Sequence, residues 1–221
     1  MGRVNRVNGE TEHGGTAQTE VRFGEVSRKR TLRSLRFSVV LISVCSALSA
    51  FSATAVVSAQ RPTLAPYIPT PQDVVDRMLA DAELTPSDVL YDLGSGDGRI
   101  VITAAKKYKT RGVGIDIDQA RISESRSNAR AAGVSDLVEF QRGDIQEADV
   151  TRATVVTLYL TSSTNLKLRP ILTRQLRPGA RIVSHVFGMG DWKPDKVDRF
   201  KDSQGDDRVI YVWKADGTIR P

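Results

Sequence analysis

The stretch "YDLGSGDGRIV", Tyr91–Val101, decides the fold. A short apolar run ends at an acid, Asp92, and three glycines, Gly94, Gly96 and Gly98, then fall within five residues before apolar residues resume at Ile100. This is the pattern of a buried strand turning sharply into a helix. Missing Cβ atoms in such a turn let a ligand approach the backbone closely, although a tight turn without a ligand would satisfy the same pattern. The spacing is G-x-G-x-G, not the G-x-G-x-x-G of the dinucleotide fingerprint. Asp97 would also confront a pyrophosphate with negative charge, which leaves nicotinamide or flavin binding as an alternative only.

Outward from this turn, helix and strand signals alternate. "TPQDVVDRMLADA" predicts a helix capped by Thr70, with Pro71 at its first position and Val74, Val75, Met78, Leu79 and Ala82 on one apolar face. "DVLYDL", "RGVGIDI", "LVEFQ", "ATVVTLYL" and "ARIVSHVF" are short runs rich in apolar and β-branched residues, expected as strands buried on both faces. "RIVITAAKKY" and "DQARISESRSNARAAG" lie between the first three, the second opened by Asp118 as cap and closed by Gly133. The alternation implies an α/β fold with right-handed crossovers and a mostly parallel sheet.

Composition narrows the partners. The chain has 221 residues and a net charge of +6, but residues 1–60 hold 8 basic against 4 acidic residues, leaving 24 against 22 in the remainder. That near neutrality gives no electrostatic reason to expect a nucleic acid. Cys45 is the one cysteine, and the two histidines, His13 and His185, are far apart, so no intrachain disulfide and no zinc cluster is expected.

The head divides at residue 36. Residues 1–36 are polar and end in a basic run, whereas 37–60 contain the uncharged "SVVLISVCSALSAFSATAVVSA", Ser38–Ala59. Basic flank, apolar segment and small residues before Gln60 read as an export signal, slightly ahead of a retained membrane anchor. Residues 61–221 then form the folded domain.

Asp116 ends "RGVGID", roughly 20 residues after the glycine turn, where an acid can accept hydrogen bonds from both ribose hydroxyls of a nucleoside. Capping the next helix is its other reading, although Asp118 is better placed for that. Asp144, in "QRGDI", follows the next strand. Three acids at successive strand ends favour an adenosine-like ligand carrying positive charge over one carrying phosphate.

"DLGSGDG" is similar to motif I of the class I S-adenosylmethionine-dependent methyltransferases, and "QLRPGARIVS" to the turn that leads into their fifth strand. The resemblance implies a Rossmann-like, mostly parallel seven-stranded sheet with helices on both faces. It also implies that Asp92, Gly94, Gly96, Asp97 and Gly98 bind S-adenosylmethionine, that Asp116 beside Ile117 holds the ribose, and that Asp144 contacts the adenine. Tyr67 and Thr70, just ahead of the first helix, are placed to fold over the cofactor.

"PYIPTPQDVVDRML", "LYLTSSTNLKLRPIL" and "SHVFGMGDWKPD" resemble more closely the mitochondrial lysine methyltransferases that modify the c-ring protein of ATP synthase and the adenine nucleotide translocase, with their prokaryotic relatives. Eukaryotic members usually carry Glu in place of Asp116, and a Pro where this chain has "TSST". The resemblance implies methyl transfer to a protein lysine, with a membrane protein among the candidate acceptors, and places Tyr159, Thr161 and Ser162 on the acceptor side. A small-molecule methyltransferase and a non-catalytic protein retaining the pocket are the alternatives. Packing in the core is the other reading of Tyr159, and anchoring a turn is the other reading of Trp192 as a pocket wall. His185 is expected as a hydrogen-bonded core residue.

Overall fold

The structure, a computed structural model, describes residues 67–221. The polar extension 1–36, the apolar segment 37–60 with Cys45, and the first residues of the 61–221 domain lie outside the described residues. Among the described residues no helix is long and apolar enough to cross a membrane.

The elements alternate as α1 (Gln72–Asp81), β1 (Val89–Leu93), α2 (Arg99–Tyr108), β2 (Arg111–Asp116), α3 (Gln119–Ala131), β3 (Val138–Arg142), β4 (Val155–Leu158), α4 (Ser162–Gln175), β5 (Arg181–His185), β6 (Lys196–Lys201) and β7 (Asp207–Lys214). One seven-stranded sheet has the order β3-β2-β1-β4-β5-β7-β6. The first five are parallel, and β7 runs antiparallel to both β5 and β6. The chain winds outward from β1 to β3, then returns to place β4 on the other side of β1. That reversal opens a crevice at the carboxyl ends of β1 and β4.

Strand alternation builds two core layers. Leu90, Val155, Val183, Ile210 and Val212 face α1, α2 and α3, which contribute Val74, Val75, Met78, Leu79, Val101, Ala104 and Ile122. Leu93, Val156, Leu158, Ile182 and Trp213 face the other way, against Leu168 and Leu172 of α4. The expected helices on both faces are therefore present, three on one side and one on the other.

Two local expectations are corrected. Pro71 (φ −54°, ψ 147°), not Thr70, occupies the cap position of α1, and no side chain caps it. An extended ψ at Pro71 keeps the helix from starting there, and the Thr70 carbonyl instead accepts from Arg99 Nη1 at 2.8 Å. β3 is an edge strand, so Glu139, Gln141 and Arg142 are exposed and it is not buried on both faces. Asp118 and Gly133 behave as expected: the Asp118 carboxylate accepts from Ala120 N–H at the start of α3, and Gly133 follows its end with φ +68°.

The third glycine of the turn serves packing. Gly98 has φ +81°, and a Cβ there would lie 2.6 Å from Phe140 Cζ and 2.8 Å from Ser125 Cβ. Gly98→Ala combines a left-handed backbone penalty of about 1–2 kcal/mol with an overpacking penalty of about 1–3 kcal/mol. A loss of about 2–5 kcal/mol in denaturant unfolding is the expected outcome. A loss of only about 1–2 kcal/mol would show that the Phe140 ring moves away and leaves the backbone penalty alone.

Candidate active site at the strand ends

The glycine turn is fixed from the neighbouring strand. Gly94 and Ser95 N–H both donate to the Ile115 carbonyl on β2, at 2.8 and 3.0 Å. Asp116, one residue further, accepts from Gly96 N–H through Oδ2 (2.8 Å) and from Asp118 N–H through Oδ1 (2.9 Å). Capping of α3 is thus the work of Asp118, while Asp116 ties the glycine turn to the end of β2. Each of its oxygens keeps a further lone pair for a ligand.

Gly94 (φ +84°) and Gly96 (φ +53°) are left-handed, and a Cβ on Gly96 would come 2.4 Å from Tyr67 Cε2. Tyr67 therefore lies directly on the glycine backbone, with the Arg121 guanidinium 4.2 Å from its ring centroid. Burial, then the Asp97 charge, raises the Tyr67 hydroxyl pKa. Burial would raise the Asp97 carboxyl as well. Hydrogen bonds from the Arg99 side chain and backbone outweigh it and hold Asp97 below the usual carboxylate range.

Asp92 is different. Burial pushes it up to about 7, the Thr157 hydroxyl opposes this, and the Asp116 and Asp97 charges add to it. Thr157 Oγ1 donates to Asp92 Oδ1 at 2.7 Å. Asp144 accepts from Gln146 N–H at 2.9 Å and so caps the short turn Ile145–Glu147 beside β3.

These groups converge on one cleft. Its walls include Tyr67, Thr70, Asp92, Gly94, Gly96, Asp97, Asp116, Ile117 and Asp144, so Gly98 alone of the cofactor residues expected from sequence stands outside it. Of the residues expected from sequence to face an acceptor, Tyr159 lines the cleft, whereas Thr161 and Ser162 do not. The Thr161 hydroxyl caps α4 by accepting from Thr164 N–H, and Ser162 is an exposed first residue of that helix. Trp192 anchors a turn: it packs 6.0 Å from Trp213, whose Nε1 donates to its carbonyl, and it does not wall the cleft. His185 is fully buried as expected, but neither ring nitrogen has a partner among the described residues.

Ser95, Arg99, Ile100, Asp118, Arg121, Ile145 and Leu160 also line the cleft and were not named from sequence as site residues, Asp118 being read only as a helix cap. Ser95 sits inside the glycine motif and carried a signal. Arg99 and Arg121 reach the site through contacts with Asp97 and Tyr67 that no spacing rule announces. Ser95 Oγ is buried without a partner among the described residues, a polar atom left for a ligand.

A parallel sheet, a glycine turn at its switch point and carboxylates at successive strand ends around a partly apolar cleft define a Rossmann-like methyltransferase architecture. Residues 92–196 match the ANTKMT methyltransferase domain. A protein-lysine N-methyltransferase of Saccharolobus islandicus is 42% identical over 149 residues, which is 67% of this chain and 92% of that protein. The adenine nucleotide translocase lysine N-methyltransferase of Mus musculus is 31% identical over 151 residues, 68% of this chain, and this chain spans 62% of its length. A Salinibacter ruber protein described as an RNA methyltransferase, crystallised with S-adenosyl-L-homocysteine, is 55% identical, with a TM-score of 0.65 over 69% of this chain and 97% of its own. The chain belongs to the class I S-adenosylmethionine-dependent methyltransferases, and within them to the family of the ANTKMT methyltransferase domain.

Proposed function

We propose that the chain transfers the methyl group of S-adenosylmethionine to lysine side chains of a protein. The observation that carries the acceptor class is the charge of the cleft. Five carboxylates, Asp92, Asp97, Asp116, Asp118 and Asp144, line it against two arginines, Arg99 and Arg121, and Arg99 is neutralised by Asp97 at 2.6 Å. Such a field attracts an ammonium-bearing acceptor and repels a phosphate backbone. The lysine-methylating relatives agree with this, whereas the likeness to the Salinibacter protein supports RNA as the competing acceptor.

The residues present suit the cofactor. Gly94 and Gly96 admit it to the backbone, the Ser95 hydroxyl is available to it, and Ile117 and Ile145 offer apolar faces for an adenine. Asp116 is placed to accept from the ribose hydroxyls and Asp144 to meet the adenine edge, while Asp92 supplies negative charge for the cationic end. When bound, S-adenosylmethionine supplies an electrophilic methyl group on a sulfonium. The chain's task is alignment, which can contribute roughly 7–11 kcal/mol. A lysine acceptor must be neutral, and burial beside Leu160 and the Tyr159 ring lowers its pKa from about 10.4.

Incubation of the protein with methyl-labelled cofactor and separate protein and RNA extracts tests the acceptor. Label in protein lysine is expected. Label confined to RNA overturns the lysine reading. Tyr159→Phe is expected to lower turnover more than cofactor affinity; equal loss of both, or a fall in thermal stability alone, places Tyr159 in the core.

The location is also proposed from sequence. Arg28, Lys29, Arg30, Arg33 and Arg36 ahead of the apolar segment favour export, with the mature chain beginning near Gln60 in a bacterial source. N-terminal sequencing with protease protection of intact cells checks this. An uncut chain shielded from external protease overturns export and favours a membrane-held enzyme acting from inside.

A further inference from the structure

His185 ends β5 and has no part in the chemistry above. It is fully buried, and both Nδ1 and Nε2 lack hydrogen-bond partners among the described residues. Buried polar atoms left unpaired destabilise a fold and call for an explanation. A second unfavourable feature follows immediately. Val186 has φ +67°, and Phe187 N–H donates across it to the His185 carbonyl at 2.8 Å. A β-branched residue at positive φ is a true outlier, and a three-residue turn built on it is strained.

The strained turn is held from two sides. Ser184 Oγ donates to the Phe187 carbonyl at 2.6 Å, and the fully buried Asn165 on α4 donates Nδ2 to the same carbonyl at 3.0 Å. Strain persists where surrounding structure over-determines it, and such places cluster at functional sites. What this arrangement fixes is a ring contact. Leu158 and Ser184 are paired across β4 and β5, so the next residues, Tyr159 and His185, are side by side, with ring centroids 4.3 Å apart at 41°. Tyr159 in turn reaches the cleft.

We infer that His185 is a positioning residue, a ring clamped by the Ser184–Phe187 turn that sets the angle of the Tyr159 ring against the methyl acceptor. This rests on the reading of Tyr159 as an acceptor-facing group. The charged groups that face His185 are Arg208 and Asp202; burial first and the Arg208 charge second lower its pKa to about 4, so the imidazole is neutral at working pH. It acts by shape and carries no proton.

Steady-state kinetics of the full chain test this with four variants, using labelled cofactor and a lysine-bearing acceptor. His185→Ala should lower kcat by about ten- to a hundredfold, the scale of a small misplacement of a reacting group. KM for S-adenosylmethionine should stay within about twofold, because cofactor binding is not what the ring supports. His185→Phe, which keeps a ring and loses both nitrogens, should recover most of kcat with an unchanged pH profile. Ser184→Ala, which removes one of the side-chain hydrogen bonds that hold the turn without touching either ring, should lower kcat in the same sense even if the His185→Ala variant does not fold. Unchanged kcat in the folded His185→Ala and Ser184→Ala variants overturns the inference, as does parallel loss of kcat and cofactor affinity. A displaced pH profile in His185→Phe also overturns it, since it would make the imidazole a proton carrier. Tyr159→Ala separates the two levels: full turnover there defeats the acceptor-side reading itself, whereas a large loss there with none in the His185 variants defeats only the positioning role.

Discussion

Asp116→Ala is expected to abolish binding of S-adenosylmethionine at micromolar concentrations while the domain stays folded. In this structure the side chain holds the Gly96 and Asp118 N–H groups; the proposed ribose contact would be its second task. Hydrogen bonds to a charged group are worth about 1.5–3 kcal/mol each. Losing two of them weakens binding by about 3–6 kcal/mol, so an affinity near 1 μM, about −8.2 kcal/mol, falls by at least about a hundredfold. Asp116→Asn keeps one acceptor oxygen and should retain an intermediate affinity. Calorimetry with the cofactor, its demethylated product and NAD checks this, with no heat expected from NAD. Binding of the alanine variant within tenfold of the parent would remove Asp116 from the cofactor site.

The second large effect is on pH. Asp92 is buried and pushed up to about 7, so near that pH it exchanges its proton in the free protein. A cationic donor favours the carboxylate, lowers its pKa and expels the proton on binding. Affinity for S-adenosylmethionine should therefore rise with pH up to about 7 and level off above it. Below 7 the fall approaches about tenfold per pH unit until the pKa of the bound state is reached. Asp92→Asn should flatten the profile and weaken binding at alkaline pH; a profile equally steep in that variant would assign the proton to another group.

The same carboxyl links folding to pH. Its folded pKa lies above the ordinary value of 3.8, so its contribution to stability of the free protein is complete below that value and is lost as pH rises towards 7. His185 has the opposite sign. Its pKa is lowered from 6.5 to about 4, so its contribution is present above 6.5 and is lost as pH falls through about 4.

The central sheet was legible because period and punctuation agree there. β1, α2 and β2 lie within a residue or two of "DVLYDL", "RIVITAAKKY" and "RGVGIDI", where the two strand runs are broken only by glycines and aspartates and the glycine turn separates β1 from α2. The gathering of the acids at one cleft was legible for the same reason, since strand ends in a parallel sheet lie at one edge and carry their acids with them. The acceptor side was not. Thr161 and Ser162 follow a strand that does reach the cleft, but a hydroxyl next to a helix start is captured by the helix's free N–H groups, here that of Thr164. α4 offered few apolar residues and contains Pro170, and β6 is an edge strand with four charged residues among its six. Thr157 on Asp92 and Asn165 on the β5 turn are contacts across the fold, which no local spacing encodes.

The segment Tyr67–Thr70 has a kinetic consequence. Its carbonyl at Thr70 is tied to Arg99, Arg99 to Asp97, and the Tyr67 ring is sandwiched between Gly96 and Arg121. The residues covering the cleft are thus fastened to those that line it, and replacing spent cofactor with fresh requires those fastenings to open first. Exchange of cofactor is then expected to be slowed by these four residues, as in enzymes whose release steps are slower than their chemistry.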